Sequence, residues 1–276
     1  MEMSNNYLFY DLETNGLDYY TTCIMQICLL DSNGNMILNQ YTYPLDKRIE
    51  ASEIHGIDEK KLIENNAIET YDMLIELKSK IREIYGRKDI YLIAYNNFGY
   101  DQIILENNFK KCNIKMPTNW YFIDLYPIVK ELYNIKPNYK LSNVYKNICD
   151  NSDTINYHCA LADTTCLYKI FNKINNANNA NNLQNIVNKY TRYSLFGGEI
   201  LRSPITSLSG YNVKFMFENK GILKIGDMYM IFKETGFDNP KFENYLRDKL
   251  GLYSKYYIEN IIKQINIIHY FNIAEK

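Results

Sequence analysis

The chain has 276 residues, 46% hydrophobic and 23% charged, an ordinary composition able to bury a core in one large domain or in one domain with a small companion. Its formal net charge of −1 is unevenly placed: residues 1–182 carry 18 Lys+Arg against 23 Asp+Glu, and the remainder carries 13 against 9. No stretch approaches the roughly 20 continuous apolar residues of a membrane span, and MEMSNNYLFY lacks the basic and long apolar regions of a signal peptide, so a membrane-free protein of the cytoplasm or nucleus is expected.

In chain order, residues 7–12 read as a short strand and residues 22–30 as a second, rich in apolar and β-branched side chains. The turn Asp31-Ser32-Asn33-Gly34-Asn35 leads to a third strand over residues 36–43. Residues 59–85 carry Leu62, Ile63, Ile68, Met73, Leu74, Leu77, Ile81 and Ile84 at largely helical spacing. The apolar run 90–94 suits a buried strand. Helices are predicted over residues 100–111, 126–132 and 160–174. Three meandering strands followed by alternating helices and strands predict an α/β sheet of ribonuclease-H-like type. Residues 175–182, NNANNANN, are polar and of low complexity and read as a linker; residues 183–203 carry no clear signal. The six cysteines form no C-x-x-C pair, which points to neither a zinc site nor a disulfide framework.

Three short motifs carry chemistry. In Phe9-Tyr10-Asp11-Leu12-Glu13-Thr14-Asn15-Gly16, a strand would put Asp11 and Glu13 on one face and Leu12 on the other. Two adjacent carboxylates repel each other unless a cation sits between them, and hard oxygen ligands suit Mg²⁺ or Mn²⁺. Taken alone, D-x-E is common, and a solvated strand end is an equal reading. In Ile93-Ala94-Tyr95-Asn96-Asn97-Phe98-Gly99-Tyr100-Asp101, a strand leaves through an Asn pair and Asp101 opens a helix, where a plain N-cap is the bland alternative. In His158-Cys159-Ala160-Leu161-Ala162-Asp163, the separation does not stack His on Asp along a helix. His158 on the preceding loop and Asp163 on the first turns could both look into one cleft.

In order and spacing these motifs resemble the DEDDh exonucleases, the superfamily of proofreading exonuclease domains, with HCALAD close to that family's H-x-A-x-x-D form. Glu53-Ile54-His55-Gly56-Ile57 resembles its I/V-H-G-I element. The resemblance covers about residues 5–174, with one departure: the family's frequent His-Asn is here Asn96-Asn97. It implies hydrolysis of a phosphodiester from the 3′ end with two divalent cations, Mg²⁺ or Mn²⁺. Asp11, Glu13, Asp101 and Asp163 would be the ligands and His158 the general base. Leu12 and Thr14, through their backbone, with His55 and Asn97, would hold the terminal nucleotide.

Residues 204–271 are similar to barrier-to-autointegration factor, a small all-helical protein that binds duplex DNA without sequence preference and dimerises. The hairpin would be Gly210-Tyr211-Asn212, with Lys214 beside it and Lys255 opening the last helix. Backbone N–H groups of such a hairpin can hold a phosphate. His269 falls on the apolar stripe of the last helix and reads as structural. The expected organisation is therefore an α/β ribonuclease-H-like exonuclease domain (1–174), with a mixed sheet flanked by helices. An Asn-rich linker and unassigned connection (175–203) leads to an all-α helix-hairpin-helix domain (204–276) that binds DNA and could form a homodimer. An acidic front and a basic back fit that assignment. The alternatives are an RNA 3′-exonuclease, since the motifs do not distinguish sugars, and a non-catalytic DNA-bridging or partner-binding module.

Overall fold

The computed structural model describes residues 6–149, 159–177, 180–209 and 217–273 and divides into two compact units, Met1–Ile186 and Val187–Lys276. In the first unit, β1 (Tyr7–Thr14), β2 (Ile24–Leu30) and β3 (Met36–Tyr43) form an antiparallel meander. The short β4 (Ile68–Glu69) lies parallel to β3, and β5 (Ile90–Ala94) and β6 (Trp120–Asp124) continue parallel beyond β1. The order of these six strands is β4-β3-β2-β1-β5-β6. β2 is buried along its whole length, as expected of a strand covered on both faces. The turn between β2 and β3 requires glycine twice over. Gly34 has φ +84°, and a Cβ there would meet the Tyr168 ring at 2.7 Å.

Helices of this unit are α1 (Ser52–His55), α2 (Glu59–Glu64), α3 (Thr70–Tyr85), α4 (Asp101–Lys111), α5 (Leu125–Leu132), α6 (Leu141–Cys149) and α7 (Ala160–Ala177). α7 covers one face of β1: Phe171 packs on Tyr7 and Phe9, and Tyr168 meets Phe9 edge-on. The odd-numbered side chains of β1 therefore point at α7. The single helical run expected over residues 59–85 is two helices. Asp58 caps α2 at Lys61 N–H, Asn66 turns the chain with φ +51°, and Ile68 pairs with Thr42 before α3 begins. The apolar spacing is real, but a left-handed Asn and a strand pairing interrupt it.

α8 (Ala180–Lys189) begins inside the stretch read as a linker, and the boundary between the units falls within it rather than at residue 174. Leu183, Ile186 and Val187 at helical spacing are buried, which explains a helix in an Asn-rich sequence. The second unit continues with β7 (Thr191–Arg192), a 3-10 stretch Phe196–Arg202, α9 (Thr206–Ser209), α10 (Ile225–Glu234), α11 (Asn239–Asp248) and α12 (Lys255–Ile273). Phe232, Phe242 and Phe271 are among its fully buried residues. Arg192 is also buried and donates to Ser207 O and to Gln264 Oε1. His269 is structural: Phe237 stacks on its ring at 4.3 Å and its Nδ1 meets the Tyr229 hydroxyl at 2.8 Å. The expected hairpin, with Gly210, Asn212 and Lys214, lies outside the described residues. Lys255, the first residue of α12, is exposed and 3.7 Å from Glu259. Among the described residues no helix is long and apolar enough to cross a membrane.

Candidate active site

Strand alternation sends Asp11 and Glu13 to the same face as Tyr7 and Phe9, towards α7. Asp163 sits in the first turn of α7, where the helix N-terminus favours a negative charge. The carboxylates of Asp11, Glu13 and Asp163 offer oxygens that all lie within 4.8 Å of one another. Asp101 opens α4, buried next to this group, and backbone N–H groups of Leu12 and of Asp101 itself hydrogen-bond its carboxylate. It is the first residue of the helix and does not cap it. Asp124, the last residue of β6, is buried close by and accepts from the N–H groups of Phe98 and Tyr126.

The electrostatics follow from this crowding. Burial, with repulsion from Asp101, Asp163 and Glu13, holds the Asp11 carboxyl far above the usual carboxylate range. Burial and Asp163 push Glu13 up to about 8. Burial raises Asp101 to about 8 as well, helped by Asp124 and Glu13 and opposed by the two N–H donors. Desolvated like charges of this kind need either protons or a cation. The donor set is all carboxylate oxygen, with neither thiolate nor imidazole in the group of three, and it fits a hard divalent ion.

The loop after Glu13 is tied down on several sides. Asn15 is buried and donates to Asp46 Oδ1 and Arg48 O, while its Oδ1 accepts from Cys23 N–H at 2.8 Å. The Tyr100 hydroxyl meets Thr14 Oγ1 and donates to Gly16 O, both at 2.5 Å, and Tyr19 donates to Gly99 O at 2.7 Å. This loop is thereby pinned to the 3-10 turn Asn97–Gly99 that delivers Asp101.

The other expected residues are placed as follows. Leu12 and Thr14 are buried on β1. Asn97 is fully buried, and its amide is committed inside the fold. Its Oδ1 accepts from Tyr10 at 2.5 Å and its Nδ2 donates to Leu92 O and Ile123 O. It thus stitches β1, β5 and β6 together and presents no amide to a substrate, unlike the nucleotide-holding role expected of it. His55 ends α1, with Nδ1 accepting from Ile57 N–H at 3.0 Å. His158 lies outside the described residues. Sequence reasoning missed Asn15, Tyr100 and Asp124. Only Asp124, a carboxylate at a strand-to-helix junction, left a signal that could have found it.

Residues 8–171 match the sequence profile of the exonuclease family. Exonuclease DPD1, chloroplastic/mitochondrial, of Arabidopsis thaliana is 27% identical over 172 residues, which are 59% of this chain and 54% of that protein. The chain thus spans about half the length of this plant relative. Two solved structures of E. coli exonuclease I share the fold. The zinc-bound complex with single-stranded DNA has TM-score 0.55 at 17% identity, covering 66% of this chain and 43% of that one. The complex with a dA16 oligonucleotide has TM-score 0.51 at 19% identity, covering 62% and 40%. A profile spanning well over half of the chain, over the same strands and helices that gather the four carboxylates, means that this chain belongs to the exonuclease family.

Proposed function

We propose that the protein is a 3′→5′ exonuclease of the DEDDh type that hydrolyses DNA, with two divalent cations, Mg²⁺ or Mn²⁺, at Asp11, Glu13, Asp101 and Asp163. The observation that carries the reading is the cluster of Asp11, Glu13 and Asp163, whose oxygens lie within 4.8 Å of one another. When bound, such a pair of ions supplies water activation and stabilises charge on the leaving oxygen. Asp11 would serve both ions, Glu13 and Asp163 one of them, and Asp101 the other. His158 would take the proton from the attacking water, a task for a group titrating near neutrality. Backbone of Leu12 to Thr14, held by Tyr100 and Asn15, would steady the terminal nucleotide, with His55 nearby in role. Asn97 acts indirectly in this reading, by fixing the strands that carry Asp11 and Asp101.

DNA is the preferred substrate because the related exonuclease I structures hold single-stranded DNA and oligodeoxynucleotides. The second unit would grip duplex DNA through Lys214, Lys255 and the hairpin at Gly210 and Asn212, and could pair with a second copy. The test uses 3′-labelled single- and double-stranded DNA beside RNA of the same sequence, with Mg²⁺, Mn²⁺ or chelator. Stepwise loss of 3′ nucleotides from DNA, abolished by chelator and by Asp163→Asn, is expected. Preferential loss from RNA would move the substrate class, and chelator-resistant hydrolysis would end the two-cation reading.

A further inference from the structure

A second site lies at the other end of the sheet. α3, the turn after it and the segment leading into β6 enclose an open groove of about 610 Å³. Four cations line it, Lys78, Arg82, Arg87 and Lys115, and no carboxylate does. This is a local concentration of positive charge in a half of the chain that is acidic in total. Arg82, Arg87 and Lys115 are exposed and make no ion pair among the described residues. Lys80 on the same helix faces away from the groove and does pair, with Glu76 at 3.3 Å. Three of the four cations lining the groove are therefore exposed and outside any ion pair among the described residues. Lys78 is half-buried, and its Nζ donates to Lys115 O at 2.7 Å, which fixes the floor of the groove.

Trp120 begins β6 and Asp124 ends it next to Asp101, so the groove and the carboxylates occupy opposite ends of that strand. Five residues of strand span roughly 13 Å, too far for the groove to hold the phosphate under attack. Trp120 is buried and cannot stack on a base. Two guanidinium forks and two ammonium groups, with Ser79, Thr118 and Asn119 between them, suit phosphate oxygens rather than base edges.

We propose that this groove is an accessory site for the phosphodiester backbone of a nucleic-acid strand, separate from the catalytic carboxylates and indifferent to base and sugar. The proposal rests on the nuclease reading only for its choice of nucleic acid as the anion. Its test is binding in chelator, where no hydrolysis enters. Anisotropy titrations with 20-nucleotide single strands of DNA and of RNA would compare the parent, Arg82→Gln/Arg87→Gln and Arg82→Lys/Arg87→Lys. Each single-strand phosphate contact contributes about 0.7 to the slope of log affinity against log salt. The glutamine pair should flatten that slope by up to about 1.4 for both strands, and the lysine pair should restore most of it. Unchanged melting temperature certifies the fold, and turnover on a trinucleotide that reaches only the carboxylates should not change. An unaltered slope overturns the proposal. So does a loss of affinity confined to inorganic phosphate or polyphosphate, which would make the groove a small-anion site. Absence of hydrolysis in the parent would overturn the catalytic reading and leave this one standing.

Discussion

Asp11, Glu13 and Asp101 are forced to share one desolvated pocket, and that sets their response to pH. Folded-state values of about 8 for Glu13 and Asp101 lie well above the usual carboxylate range. Between about pH 4 and 8 the cation-free folded protein therefore binds more protons than the unfolded chain. Its stability should be full below about pH 4 as far as these groups are concerned, and should fall as pH rises towards 8. Saturating Mg²⁺ should remove the slope, because the cation displaces those protons. Thermal melts from pH 5 to 8, with and without chelator, read both effects; a flat profile in chelator would show that the carboxylates are not desolvated as the structure has them. The second prediction at this scale concerns His158. A positioned general base contributes about 10²–10⁴-fold, so His158→Ala should lose rate on that scale while Mg²⁺ still raises its melting temperature. The acid limb of the pH–rate profile should go with it. Unchanged rate and pH dependence would make His158 a structural residue.

At the scale of elements, Asn97 shows how a loop is made rigid enough to aim a carboxylate. Its amide bonds to the Tyr10 hydroxyl and to carbonyls of Leu92 and Ile123, one partner on each of three neighbouring strands. Asn97→Leu leaves buried polar groups without partners and should cost roughly 2–4 kcal/mol by urea unfolding. Because the same turn delivers Asp101, turnover should fall in step with stability. Asp163→Asn should behave in the opposite way, abolishing turnover with Mg²⁺ present while raising the melting temperature in chelator, since it removes one of the repelling charges. If Asn97→Leu kept both stability and rate, the stitching role would be wrong. The β1 strand illustrates what pattern alone misses. Its apolar run ends at Leu12, yet pairing with Gln26 and Ile24 extends it through Glu13 and Thr14. The extension moves the strand's end but leaves Glu13 on the face that alternation already assigned to it beside Asp11.

At the scale of the molecule, an acidic unit carrying the carboxylates is followed by a basic helical one. If the second unit grips duplex DNA through phosphates, Lys214→Gln/Lys255→Gln should flatten the salt dependence of duplex binding by up to about 1.8, at about 0.9 per neutralised phosphate. Turnover on a saturating short oligonucleotide should stay the same. Point variants test this better than truncation, because the boundary between the units falls inside α8 and a cut there would break a helix. An identical salt slope for variant and parent would leave the second unit as a module for dimerisation or partner binding.

The sequence by itself determined the α/β class of the first unit, the alternation that puts Asp11 beside Glu13, and the motif order that marks the exonuclease family. These are local or order-dependent properties: strand periodicity, helix starts and spacings along one chain. Residues 175–182 read as a linker and residues 183–203 carried no clear signal, whereas α8, with its buried Leu183, Ile186 and Val187, spans the junction of those two stretches. Tertiary structure alone decided that Asn97 belongs to the scaffold, that Tyr100 clamps the Thr14–Gly16 loop, and that four cations converge on a groove without carboxylates. Lys78 and Lys115 are far apart in the chain and are joined by one hydrogen bond across it. No spacing rule encodes such a meeting, because it depends on how the fold brings α3 beside the approach to β6.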